Sequence, residues 1–198
     1  MNTYKILPSK TVIIDNYDSF TYNLVHIIND LLEGEVDVIR NDQFKLEDID
    51  KYDYIILSPG PGIPDEAGLL KQVIAQYGSS KKIFGVCLGL QAIGEVFGGK
   101  LKNLTRVFHG VKTNILTTDI PSPIFEGINL PFTAGRYHSW VLDNKSNLEA
   151  FHITAVDEEG EIMALQHKDY EIHAVQFHPE SIMTEEGKKM ISNFFNIK

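Results

Sequence analysis

An α/β protein is predicted, with a mostly parallel central sheet flanked by helices and antiparallel hairpins in the C-terminal half. Two observations carry this expectation. Up to about residue 100, short apolar runs alternate with segments of helical periodicity, the pattern of βαβ units. After that point, strand-like runs follow one another and are separated by turn chemistry.

In chain order, Thr11–Asp15 (TVIID) reads as a buried strand. Ser19–Leu32 follows as a helix with Phe20, Leu24, Ile27, Ile28 and Leu31 on one face, and Asp18 or Ser19 is placed to cap it. Glu35–Ile39 and Tyr54–Leu57 are the next strands. Asp65–Tyr77 is a helix, Lys82–Val86 a strand, and Leu88–Phe97 a helix closed by Gly98-Gly99. Strands are then expected at Lys112–Thr117, Phe132–Tyr137, Leu148–Val156, Ile162–His167 and Ile172–Phe177. A final helix over Thr184–Ile197 presents Met190, Ile191, Phe194 and Phe195 to the core. Residues 1–10 read as an N-terminal extension and 11–198 as one domain. There is no internal repeat and no linker.

Composition bounds the function. The 198 residues are enough for one domain with a substantial core, and 43% hydrophobic with 23% charged residues is ordinary globular composition. A net charge of −9 argues against nucleic-acid binding, which needs a basic surface. No apolar run is long enough to span a membrane, and Met1–Lys10 holds no export-type hydrophobic stretch, so the expected location is cytoplasmic. The single Cys excludes an internal disulfide. The seven His are scattered without HxH or HExxH spacing, so no metal site is expected. A lone Cys is either a small buried hydrophobe or a nucleophile. Its local sequence decides between them.

Cys87 ends the strand Lys82–Val86 and begins a helix, inside Gly85-Val86-Cys87-Leu88-Gly89. This is a thiol version of the nucleophile elbow, in which glycines permit a sharp strand-to-helix turn. The turn sets the sulfur at a helix N-terminus, which favours thiolate, and leaves the Leu88 N–H free for an oxyanion. The last strand runs into Gln176-Phe177-His178-Pro179-Glu180. Strand alternation puts His178 and Glu180 on one face, and Pro179 restricts His178 to extended backbone. His178 would then accept the thiol proton and Glu180 would orient the imidazole. Ser58-Pro59-Gly60-Pro61-Gly62 follows the strand Tyr54–Leu57. Its stiff loop with bare amides makes the Gly62 N–H a candidate second oxyanion donor. Alone, each string has a bland alternative: a core Cys, a surface His, a turn.

Taken together, these three strings, the last extending to Ser181, resemble the class I (triad) glutamine amidotransferases over nearly the whole chain from Thr11. Asp15-Asn16-Tyr17-Asp18-Ser19-Phe20-Thr21-Tyr22-Asn23 and Arg136-Tyr137-His138-Ser139-Trp140 are similar to the chorismate-using branch, which comprises anthranilate synthase component II and the glutaminase subunit of aminodeoxychorismate synthase. The resemblance implies attack of Cys87 on the glutamine side-chain amide, ammonia release assisted by His178, and hydrolysis of a γ-glutamyl thioester. It implies that Gly60, Pro61, Gly62, Gln91, Ser139 and Trp140 hold the substrate. It also implies that the ammonia passes to a separate chorismate-binding synthase subunit, with no cofactor in this chain. Asn16, Tyr17 and Ser19 are candidates for the subunit contact. The leading expectation is anthranilate synthesis. The alternatives are p-aminobenzoate synthesis or service to both, a stand-alone γ-glutamyl hydrolase, and a non-enzymatic scaffold. Two departures stand out. Residue 90 is Leu where the family usually has His, and Val111 lengthens the usual His-Gly-Lys string to His109-Gly110-Val111-Lys112.

Overall fold

The computed structural model describes residues 6–197, so residues 1–5 of the expected extension and Lys198 lie outside the described residues. Its main feature is a nine-stranded sheet. The strands are β1 (Thr11–Asp15), β2 (Asp37–Arg40), β3 (Tyr54–Leu57), β4 (Lys82–Val86), β6 (Val111–Thr117), β7 (Phe132–Arg136), β9 (Phe151–Val156), β10 (Ile162–His167) and β11 (Ile172–Val175). They lie in the order β2-β1-β3-β4-β11-β10-β9-β6-β7. From β2 to β11 the pairing is parallel; from β11 through β10, β9 and β6 to β7 it is antiparallel. The helices are α1 (Thr21–Leu32), α2 (Leu70–Tyr77), α3 (Leu88–Val96) and α4 (Gly187–Phe194).

Alternation along β1 divides the core. Ile13 faces a cluster with Leu24, Ile28, Met190 and Phe194 from α1 and α4, whereas Val12 and Ile14 face a cluster with Val73, Ile74, Leu90 and Ile93 from α2 and α3. The central strands are buried on both faces, which is why they read as unbroken apolar runs.

Most differences from expectation lie at element ends. The helix expected from Ser19 begins at Thr21. The Asp18 carboxylate accepts from the Phe20 N–H at 2.7 Å in a preceding turn, and no side chain caps the helix itself. The strand expected at Glu35–Ile39 is Asp37–Arg40, because the Val36 N–H donates to the Asn29 side chain. The helix expected at Asp65–Tyr77 is split into a 3₁₀ turn, Pro64–Glu66, and α2. Gly68 sits between them at φ +52, a conformation glycine adopts freely, and the Leu69 N–H bonds the Asn41 carbonyl. The expected strand Leu148–Val156 starts at Phe151, after a turn closed by Phe151 N–H to the Leu148 carbonyl. The final helix runs from Gly187 to Phe194 rather than from Thr184 to Ile197, and all four of its expected core residues are buried. A two-stranded sheet, β5 (Leu101–Asn103) with β8 (Trp140–Leu142), was not expected; three-residue strands carry no readable period.

Register positions the site. Val86 pairs with Val175, and Gly85 with both Ala174 and Leu57. Cys87, Gln176 and Ser58 therefore leave three adjacent parallel strands at their carboxyl ends, the ligand-binding edge of an open α/β sheet. The turn after β4 is tightly packed. A Cβ on Gly89 would lie 2.8 Å from the Leu57 carbonyl oxygen and 2.9 Å from its Cβ. Gly89→Ala gains up to about 1 kcal/mol in helix propensity, but overpacking costs about 1–3 kcal/mol. We expect net destabilisation, visible as a lower urea midpoint.

Candidate active site

Cys87 occupies φ 52, ψ −99, a strained backbone conformation of the kind that concentrates at functional sites. Its N–H bonds the Val175 carbonyl at 2.8 Å, and its carbonyl accepts from the Gln91 N–H at 3.1 Å, so the elbow is held from both sides. The sulfur lies at the N-terminus of α3. Among the described residues, neither the Leu88 nor the Gly62 amide donates to another backbone group, which leaves both free to meet an oxyanion.

His178 lies beyond the end of β11, in an isolated antiparallel bridge with Gly135. Its N–H bonds the Gly135 carbonyl at 3.0 Å, and its own carbonyl accepts from the Thr184 hydroxyl at 2.7 Å. The Phe20 and Tyr137 rings flank the imidazole at centroid distances of 5.6 and 4.9 Å. Glu180 reaches Nδ1 with Oε1 at 2.6 Å. Strand alternation is not the reason they meet. The strand stops at Val175, and Ser181 N–H closes a turn onto the His178 carbonyl, which swings Glu180 back to the ring.

His178 and Glu180 are buried, so their charges interact through little solvent. Burial opposes the imidazolium, but the Glu180 carboxylate and the Cys87 thiol outweigh it and hold the His178 pKa well above its ordinary value. His178 Nε2 makes no hydrogen bond and is left to face the sulfur. A raised folded-state pKa stabilises the fold fully below the ordinary value near 6.5, and this contribution disappears as pH rises through the folded value. We therefore expect Glu180→Gln to lose more stability at pH 6 than at pH 10, measured by urea unfolding at each.

Above these groups lies a cleft of about 190 Å³, lined by Gly60, Pro61, Gly62, Cys87, Gln91 and the segment Tyr137–Trp140, with Val107, Phe108 and His109 at its side. All six residues expected to hold the substrate thus converge on the cysteine. The Gln91 amide group is already engaged, donating to the Trp140 carbonyl at 2.9 Å and to Gln176 Oε1 at 3.3 Å. Asn16 is buried: its amide donates to the Ser58 carbonyl and its Oδ1 accepts from Asn41. It ties two loops together and leaves Tyr17 and Ser19 as the exposed members of that trio. Leu90 is fully buried against the α2 side of the sheet, away from the cleft, so an apolar residue fits there. Val111 opens β6, paired with Arg136.

Sequence reasoning missed a buried network beside the cleft. Arg136 pairs with Asp157 at 2.6 Å and donates through Nε to His138 Nε2 at 3.0 Å. That bond fixes the tautomer, so His138 Nδ1–H donates to the Trp140 carbonyl at 3.0 Å. Burial, then the charges of Arg136 and His178, push the His138 pKa down to about 3, keeping it neutral. It missed Gln176 as well, the first residue beyond β11. Among the described residues, no group of three or more His, Cys, Asp or Glu is placed to hold a metal ion, and no helix is long and apolar enough to cross a membrane.

Comparison with known proteins agrees with this geometry. The family model for glutamine amidotransferase class-I matches residues 12–197. The chain is 47% identical over 185 residues to the aminodeoxychorismate/anthranilate synthase component 2 of Bacillus subtilis, covering 92% of this chain and 94% of that protein. It is 44% identical over 196 residues to the bifunctional protein TrpGD of Thermotoga maritima, covering 98% of this chain but spanning only 33% of that longer protein. A solved glutamine amidotransferase structure from Thermotoga maritima superimposes with a TM-score of 0.76, covering 96% of this chain and 99% of that one; at 10% identity this likeness shows the fold alone.

Proposed function

Since this chain belongs to the class-I glutamine amidotransferases, we propose that it is the glutaminase subunit of an anthranilate synthase. The observation that carries the proposal is the meeting of Cys87, at a strained strand-to-helix elbow, with a His178 ring held charged by Glu180. In this reading the Cys87 sulfur attacks the side-chain amide carbon of glutamine. The Leu88 and Gly62 amides receive the oxyanion. His178 delivers a proton to the nitrogen as the C–N bond breaks, and ammonia leaves a γ-glutamyl thioester. Water, losing a proton to His178, then attacks the thioester and releases glutamate and the thiolate. Gly60, Pro61, Gly62, Gln91, Ser139 and Trp140 bind the glutamine. The reading needs no cofactor in this chain.

Ammonia so released requires an acceptor site, and the Bacillus subtilis relative is by name one component of a synthase. We infer a separate chorismate-binding synthase subunit as partner. Exposed apolar side chains offer it a footing: Val107 on the cleft wall, Tyr17 on the loop after β1, and Ile182 two residues past Glu180. The setting is cytoplasmic, where a lone thiol stays reduced. The name of that same relative also covers aminodeoxychorismate, which favours a second reading in which the subunit serves p-aminobenzoate synthesis as well. Copurifying the native synthase and supplying chorismate with amide-¹⁵N glutamine separates these readings. Labelled anthranilate supports the first and labelled p-aminobenzoate the second. Hydrolysis of γ-glutamyl peptides faster than glutamine, with no synthase bound, would overturn both.

A further inference from the structure

The polar group seated on the Cys87 sulfur in this structure is the side-chain amide of Gln176. Its Nε2 donates to Sγ at 3.4 Å. Gln176 is completely buried, and its backbone N–H is anchored to the Met163 carbonyl at 2.9 Å. Its Oε1 accepts from Gln91 Nε2 at 3.3 Å, and Gln91 Nε2 also bonds the Trp140 carbonyl at 2.9 Å. This chain fixes which end of the Gln176 amide meets the sulfur. A donor from Gln91 requires the oxygen of Gln176 on its own side, so the NH₂ group faces Cys87.

We propose that Gln176 is a catalytic residue of the glutaminase reaction, donating to the Cys87 thiolate and holding it in line for attack, with Gln91 as the positioning residue that orients it. The proposal rests on the reading of Cys87 as the nucleophile. A neutral donor suits this task for an electrostatic reason. A hydrogen bond to a charged acceptor is stronger than one to a neutral acceptor, so the amide favours S⁻ over S–H without adding a charge that would compete with His178. It also leaves His178 Nε2, unpartnered here, free to carry its proton to the departing nitrogen. The amide bond to sulfur weakens as negative charge moves from sulfur to the oxyanion. Gln176 therefore acts on the population and direction of the thiolate, and the oxyanion is left to the backbone amides.

The test is the pH dependence of Cys87 alkylation by iodoacetamide in the full chain, with the labelled residue identified by mass spectrometry. Gln176→Met keeps the length and removes the donor. We expect its alkylation midpoint to rise by about one pH unit, so that its rate on the rising limb falls roughly tenfold. We also expect kcat for glutamine to fall with KM nearly unchanged, since the lost contact is to the enzyme's own sulfur. Gln91→Met, which frees the Gln176 amide to turn, is expected to shift the midpoint in the same direction by less, and it serves as the test if Gln176→Met does not fold. A midpoint in a folded variant that superimposes on the parent's overturns the proposal while leaving the nucleophile reading intact. Alkylation elsewhere than Cys87, or full glutaminase activity in Cys87→Ala, overturns the nucleophile reading itself.

Discussion

Cys87→Ala is expected to abolish glutamine hydrolysis, with a fall of roughly 10⁴-fold or more in kcat, equivalent to at least about 5 kcal/mol of transition-state stabilisation. The reason is chemical and not structural. Alanine removes only the sulfur from a buried side chain, and the elbow is fastened through the backbone by Val175 and Gln91. The fold should survive, so circular dichroism and synthase binding stay near the parent while the reaction stops. What remains of the site can still bind glutamine and polarise its carbonyl, but no covalent intermediate forms to divide the reaction into two smaller barriers. Steady-state ammonia release in the presence of the synthase measures the effect. Ammonia supplied directly as a salt should still support the synthase reaction in the same complex, which separates loss of the nucleophile from loss of assembly. Retention of even a tenth of the parent rate would exclude this cysteine as the nucleophile.

His178→Gln is expected to cost roughly 10²–10⁴-fold in kcat, the usual range for a positioned acid–base group. Glutamine fills much of the same space, and the backbone bonds to Gly135 and Thr184 do not depend on the ring. Two functions are lost together. No imidazolium remains to pair with the thiolate, and no acid remains to protonate the leaving nitrogen. Glu180 is then left buried beside a neutral amide, so a stability loss accompanies the kinetic one. Iodoacetamide alkylation of Cys87 at neutral pH should slow as well, because the partner that favours its thiolate is gone. A variant alkylated at the parent rate yet inactive toward glutamine would confine His178 to protonating the departing nitrogen.

The residues differ in how openly they announced themselves. Cys87 could be read from five residues, because a glycine on each side of the Val86-Cys87-Leu88 turn is a local steric requirement, and the packing of Gly89 against Leu57 bears that requirement out. His178 and Glu180 could be picked out as candidates by residue type, but strand alternation was the wrong reason for their meeting. They meet through a turn that Pro179 helps to impose, since a residue without an N–H cannot extend the ladder. The start of β2 and the break at Gly68 each depended on a single hydrogen bond to a residue of another segment, the Val36 N–H to the Asn29 side chain and the Leu69 N–H to the Asn41 carbonyl. Nothing in the periodicity of a short segment encodes such a partner.

Alternation of apolar runs and helical faces was enough to specify the kind of sheet and the strands that carry the candidate site, because these follow from short-range sterics and burial. The pairing of β4 with both β3 and β11 decided that Ser58, Cys87 and Gln176 would emerge side by side. Contacts across 85 residues and more, Gln91 with Gln176 and Gln176 with the Cys87 sulfur, exist only once those strands have docked. So does the Arg136–Asp157 pair beside the cleft, where burial first and the Arg136 charge second keep His138 neutral. Hydrogen bonds and ion pairs of this kind depend on distances of a few ångströms between residues far apart in the chain, and those distances are set by how the strands pack.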